Sequence, residues 1–199
     1  MRQKNLTEVC HVENDVLIYS NIADILSELN LFSNGSVSLT PIGDDYASAA
    51  FMYVNNVDIL AKLNCLMLSL MNRGKEYLTK LFNQGANEML MLSHIYKTIP
   101  GVIKYLPIQP CGKGAQGLNL FNGIFDPASI GQFLGGTNSH PSGWYGKDHH
   151  WIGASLHKKL YSFEWKVENG IKVPYLAYRN RGYKIHNLHI HSKRLKDFM

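Results

Sequence analysis

The feature that most limits what this chain can fold into is a change of hydrophobic period that recurs along it. ASAAFMYVNN is a compact apolar run closed by Asn55 and Asn56, and it reads as a buried strand. Directly after it, VDILAKLNCLMLSLMNR carries apolar residues at helical spacing, with Asn56 placed to cap it and Gly74 to end it. The alternation appears elsewhere too. TEVCHV is strand-like, NIADILSELNLF sets Ile22, Ile25, Leu26 and Leu29 on one helical face, and GSVSLTPIG is strand-like between turn residues. A further helix is expected from about Ala86 to Thr98, stopped by Pro100–Gly101, then a short strand in LPIQP and a loop in CGKGAQG. In FDPASIGQFLGG, Asp126 is a candidate N-cap, Pro127 the first helical residue and Gly135–Gly136 the exit. The closing YKIHNLHIHSKRLKDF alternates Ile185, Leu188 and Ile190 with polar residues. Strands alternating with helices predict an α/β layered domain. Without an internal repeat or a linker, residues 1–199 read as one domain.

Size and charge narrow the function. A chain of 199 residues, 45% apolar, is long enough for a real core. Its formal charge of +5 suits anionic partners, but no interleaving of aromatic and basic residues matches a nucleic-acid module. Much of the excess charge lies late, at Lys172, Arg179, Arg181, Lys184, Lys193, Arg194 and Lys196, a distribution that suits a solvated face. Cys10, Cys65 and Cys111 form no CxxC pair, so neither a disulfide framework nor a zinc knuckle is indicated. MRQKNLTEVC has no apolar core of a signal peptide, and ILAKLNCLMLSLM is too short and too interrupted to span a bilayer. A cytoplasmic protein is expected, with peripheral association at a membrane surface left open.

The chemistry concentrates at the two ends. In HVENDVLIY, Glu13 and Asp15 stand two apart before an apolar run, and in an extended segment both point to the same side. Neighbouring carboxylates resist burial unless a cation or donors compensate them, and hard divalent cations prefer carboxylate oxygens. Capping the following helix, or facing water, would explain the pair equally well. In HNLHIHSK, His189 and His191 again share one face of a strand, with Lys193 beyond them on the same side. Two carboxylates, an imidazole and a lysine suit a metal-bound diphosphate. Between these ends, Glu88 is either a first-turn residue favoured by the helix dipole or a general base. Asp126 has a similar split between capping and catalysis. Asp44 and Asp45 sit in a turn. Trp144, Tyr145, His149, His150 and Trp151 crowd a long loop, where they either pin it to the body or stack on a sugar.

The order of these pieces resembles the part of a GT-A-fold glycosyltransferase from its DxD motif onward. HVENDVLIY is similar to that motif with E-N-D in place, ASAAFMYVNN to the hydrophobic strand after it, NEMLML to the acidic-led helix at the acceptor pocket, and HNLHIHSK to the late histidine–lysine segment. The resemblance implies a GT-A-like mixed sheet flanked by helices. It also implies a Mn²⁺ or Mg²⁺ ion on Glu13, Asp15, His189 and His191, and a nucleoside diphosphate sugar donor bound by Lys193 and Asn14. Glu88 and Asp126 become the catalytic candidates, and the activity hexosyl transfer to a glycan or lipid-linked acceptor hydroxyl. Glu13 takes the place of the usual first aspartate. Only a dozen residues precede Glu13, whereas each base-gripping βαβ unit needs about 30. The expectation is therefore a fold incomplete at its N-terminus, with the nucleotide-binding half missing, supplied by a complementing chain, or lost through truncation. An inactive sugar- or partner-binding remnant is the alternative. A metal-dependent hydrolase is a further one, although no HExxH-type or HD-type signature is present.

Overall fold

A computed structural model describes residues 7–135, 151–152, 156–157, 160–191 and 195–199. The elements run β1 (Val9–Val12), β2 (Val16–Ile18), α1 (Ile22–Ser33), β3 (Val37–Ile42), β4 (Tyr46–Val54), α2 (Val57–Met71), α3 (Lys75–Phe82), α4 (Glu88–Thr98) and β5 (Ile103–Tyr105). After them come α5 (Leu118–Phe121), β6 (Gly123–Ile124), α6 (Ser129–Gly135), β7 (Trp151–Ile152), β8 (Leu156–His157), β9 (Ser162–Glu168), β10 (Ile171–Tyr178), β11 (Arg181–Ile185) and β12 (Asn187–His189). Two four-stranded mixed sheets, ordered β1-β4-β3-β5 and β6-β11-β10-β9, are flanked by helices, so the α/β expectation holds. In the first, β3 pairs antiparallel with β4 and parallel with β5. In the second, β11 pairs antiparallel with β10 and parallel with β6.

Local signals set three of the helix starts. Asn21, Asn56 and Asn87 each stand just before a helix and accept a backbone N–H of its first turn, from Ala23, Asp58 and Leu90 respectively. The two faces of the first sheet bury different partners. Val37, Leu39, Ala47 and Val54 pack with Leu63 of α2 and with Leu92 and Ile95 of α4. Phe51 and Tyr53 pack with Ile25 and Leu29 of α1 and with Phe121 and Phe125. The third cluster joins Phe163, Leu176 and Ile185 of the second sheet to Ile130 and Phe133 of α6 and to Leu188 and Ile190.

Four expectations change. α2 ends at Met71 with Asn72 as its cap, and Gly74, at φ +85°, instead opens α3. That helix sets Tyr77, Leu78, Leu81 and Phe82 at helical spacing and buries Leu78. LPIQP is not a strand; β5 comes just before it, and Pro107 serves as an acceptor for the Phe125 N–H at 2.7 Å. α6 starts at Ser129 rather than Pro127, because Ala128 sits at φ +102°, outside helical space. The hairpin of β9 and β10 was not anticipated, although Asn169 and Gly170, both at positive φ, make its turn. No helix among the described residues is long and apolar enough to cross a membrane.

A candidate metal centre

The acidic pair lies where the chain leaves the first sheet. β1 runs antiparallel along β4 from Val9↔Val54 to Val12↔Phe51, and the Glu13 N–H extends the ladder by donating to the Ala50 carbonyl at 3.0 Å. The chain then turns, with the Val16 N–H on the Glu13 carbonyl at 3.2 Å. β2 emerges to pair with β12 in the register Val16↔His189. The ladder continues past β12, where the Ile190 N–H donates to the Asp15 carbonyl at 2.8 Å. Glu13 and Asp15 therefore converge through a turn, not through the alternation of an extended strand. Asn14 is exposed at the turn.

This register brings together residues far apart in sequence. His189 Nε2 lies 3.1 Å from Asp15 Oδ1 and 3.4 Å from Glu13 Oε2. One ligand atom from each of the three falls within 4.8 Å of the others, close enough to share one ion. The His189 side chain is 7% exposed, Asp15 17% and Glu13 42%, so the cluster opens to solvent on the Glu13 side. The His191 ring packs on His189 with centroids 4.1 Å apart and planes at 31°. The two histidines do share a side, as their spacing implies, but His191 lies outside the group of three ligand atoms.

The electrostatics suit a cation. Burial, reinforced by His191, lowers the His189 imidazole to about 4 against the opposing pull of Asp15. The ring is neutral at pH 7, the form that ligates metals. Burial also lowers His191. Burial raises the Glu13 carboxyl, and the charges of Asp15 and then Glu88 raise it further. A divalent ion would relieve that repulsion. His189 Nδ1 and His191 Nε2 are both buried without a hydrogen-bond partner among the described residues. Two carboxylates and one imidazole fit Mn²⁺ well; Mg²⁺, which prefers oxygen alone, fits less well.

Behind the centre stands Asp126. Its carboxylate is fully buried, with Oδ1 accepting from the Ala128 and Ile130 N–H groups and Oδ2 from those of Gly131 and His189, at 2.7–3.0 Å. Burial pushes this carboxyl up to about 6, with the four N–H donors pulling the other way. With no exposed oxygen, Asp126 does not reach a substrate. It is a positioning residue, tying the start of α6 to the backbone of His189. Gly131 makes the same approach sterically: a Cβ there would lie 2.1 Å from the His189 carbonyl oxygen. Sequence reasoning saw the cap but not its reach to β12. A glycine one turn into a seven-residue helix was the available signal.

Glu88 is exposed in the first turn of α4, close enough for its charge to act on Glu13. Asp45 forms an ion pair with Lys97 at 2.9 Å. Lys193, Trp144, Tyr145, His149 and His150 lie outside the described residues, as does the side chain of Trp151. Comparison with protein-family models, with curated proteins and with solved structures finds no match to this chain.

Proposed function

We propose that this chain is the metal-binding part of a glycosyltransferase that moves a sugar from a nucleoside diphosphate donor to a hydroxyl of a glycan or lipid-linked acceptor. The observation that carries the reading is the meeting of Glu13, Asp15 and His189 around one point, from opposite ends of the sequence. In this role the three side chains hold Mn²⁺, or less readily Mg²⁺, and the ion supplies positive charge against the donor's diphosphate. Asn14, exposed at the turn between the two carboxylates, and Lys193 are the residues this reading assigns to the diphosphate. Asp15 and His189, the more buried pair, fix the geometry, while the more exposed Glu13 faces the entering ligand. Glu88, exposed and within electrostatic reach of Glu13, is the candidate base for the acceptor hydroxyl proton. The fold in this reading is GT-A-like, with the units that grip the nucleotide base supplied from outside this stretch.

Thermal melting tests the proposal. Mn²⁺ is expected to raise the melting temperature, and UDP or GDP to raise it further only when Mn²⁺ is present. A Mn²⁺ shift that no nucleoside diphosphate extends would leave a metal site and remove the transferase reading.

A further inference from the structure

At the other edge of the first sheet from β1, a pocket of about 760 Å³ opens between the β3–β4 turn, α4 and the segment after β5. Its aromatic wall is Tyr96, stacked on Tyr105 with centroids 3.8 Å apart and planes at 21°, and still 37% exposed. Gln109 and Gln116 bring side-chain amides, each able to donate and to accept. Gly114 sets the Gln109 side chain in place, since a Cβ there would meet its Cγ at 2.7 Å and Ile108 Cγ1 at 2.9 Å. The lining carries one acidic and two basic side chains, and with Asp45 just outside it the charges balance. Asp44 opposes Lys113, and Lys97 is already paired with Asp45 outside the pocket.

We propose that this pocket binds a neutral stretch of oligosaccharide. An exposed tyrosine face suits the apolar face of a sugar ring, and amides with balanced charge suit hydroxyls. An anion would find no surplus of positive charge there. β1 and β5 are the two edge strands, so three strand spacings, ~14 Å, separate the pocket from the cation site across the sheet. A ligand touching both is several sugars long. Calling that ligand the acceptor rests on the transferase reading; the preference for neutral sugar rests on the lining and on the Lys97–Asp45 pair beside it.

The test is binding of the full chain to immobilised neutral, sialylated and sulfated oligosaccharides, with Tyr96→Ala, Tyr96→Phe and Gln116→Ala alongside the parent. Retention of neutral glycans is expected for the parent and for Tyr96→Phe, which keeps the ring. A drop of about tenfold is expected for Tyr96→Ala, the upper range of what one aromatic face supplies. Gln116→Ala, at an exposed position, should weaken binding without loss of fold if Tyr96→Ala proves unstable. The inference is overturned if the parent holds no neutral glycan, if it prefers the acidic ones, or if neither Tyr96→Ala nor Gln116→Ala weakens binding. The nucleotide-dependent melting shift of Tyr96→Ala should equal the parent's. Glycan binding without that shift in the parent would thus refute the transferase reading and leave this site standing.

Discussion

Gly131→Ala separates a packing requirement from helix propensity, because the two push in opposite directions. In the interior of a helix, alanine is favoured over glycine by about 1 kcal/mol. Here the added Cβ would lie 2.1 Å from the His189 carbonyl oxygen and 2.6 Å from its carbon, and both are backbone atoms that no rotamer change can move aside. Restoring contact distance needs α6 and β12 to part by roughly 1 Å, and overpacking of this kind costs ~1–3 kcal/mol, here at the upper end. The net expectation is a loss of ~2 kcal/mol, which for a chain of this size lowers the melting temperature by about 4–8 °C. Since the displaced backbone carries His189, affinity for Mn²⁺ should fall about 10-fold or more, as for other residues that position a ligand. Gly135→Ala is the control: its Cβ would meet the Phe198 ring at 3.1 Å, a side chain that can give way. Differential scanning calorimetry and Mn²⁺ titration read both effects. If Gly131→Ala melts at or above the parent, the close apposition of α6 and β12 is wrong.

Asp126→Asn leaves two of four buried N–H groups facing an amide NH₂, and at ~1–3 kcal/mol for each lost acceptor the variant should lose ~2–6 kcal/mol in denaturant unfolding. An unchanged midpoint would show that the carboxylate is not the tie described. Glu13 is held above its ordinary carboxyl range by burial, Asp15 and Glu88, so ionising it costs the native state as pH rises. Glu13→Gln removes that cost. Without metal it should melt no lower than the parent at pH 7, while losing the Mn²⁺ shift; a markedly lower metal-free melting point would contradict the assignment. His186 is lowered to about 4, chiefly by burial, its Nδ1 2.7 Å from Ser20 Oγ. The unfolded chain therefore binds the extra proton first, and stability should fall as pH drops from about 6.5 to 4, by about 3 kcal/mol from this residue. His186→Gln should flatten that part of the pH profile, and an equal slope in both proteins would exclude His186 as its source.

Much of the layout is readable because local chemistry and tertiary packing agree. Three asparagines cap three helices, β4 is an apolar run and β3 alternates Val37, Leu39 and Pro41 with Ser38 and Thr40 between turn residues, so neither context nor pairing had to overrule propensity. α3 is legible too, in the helical spacing of Tyr77, Leu78, Leu81 and Phe82, although it buries only Leu78. The β9–β10 hairpin did carry a readable mark, Asn169–Gly170 between alternating strands. At the centre, residue types and spacing picked out Glu13, Asp15 and His189, but not how they meet. Spacing i, i+2 describes a turn as well as a strand, and the pairing of β2 with β12 joins segments about 170 residues apart, a register no local pattern encodes. The dual role of Asp126 was hidden for the same reason. Its cap bonds are local, whereas its bond to the His189 N–H is long-range.

Two chain ends sharing one divalent ion is the physical core of this account, and titrating Mn²⁺ into the metal-free protein at neutral pH, followed by electron paramagnetic resonance, tests it most directly. One ion should bind per chain to the parent, with binding lost in both Asp15→Asn and His189→Gln although each still melts cooperatively. A parent that leaves Mn²⁺ free in solution, or a His189→Gln variant that binds as tightly as the parent, would contradict it.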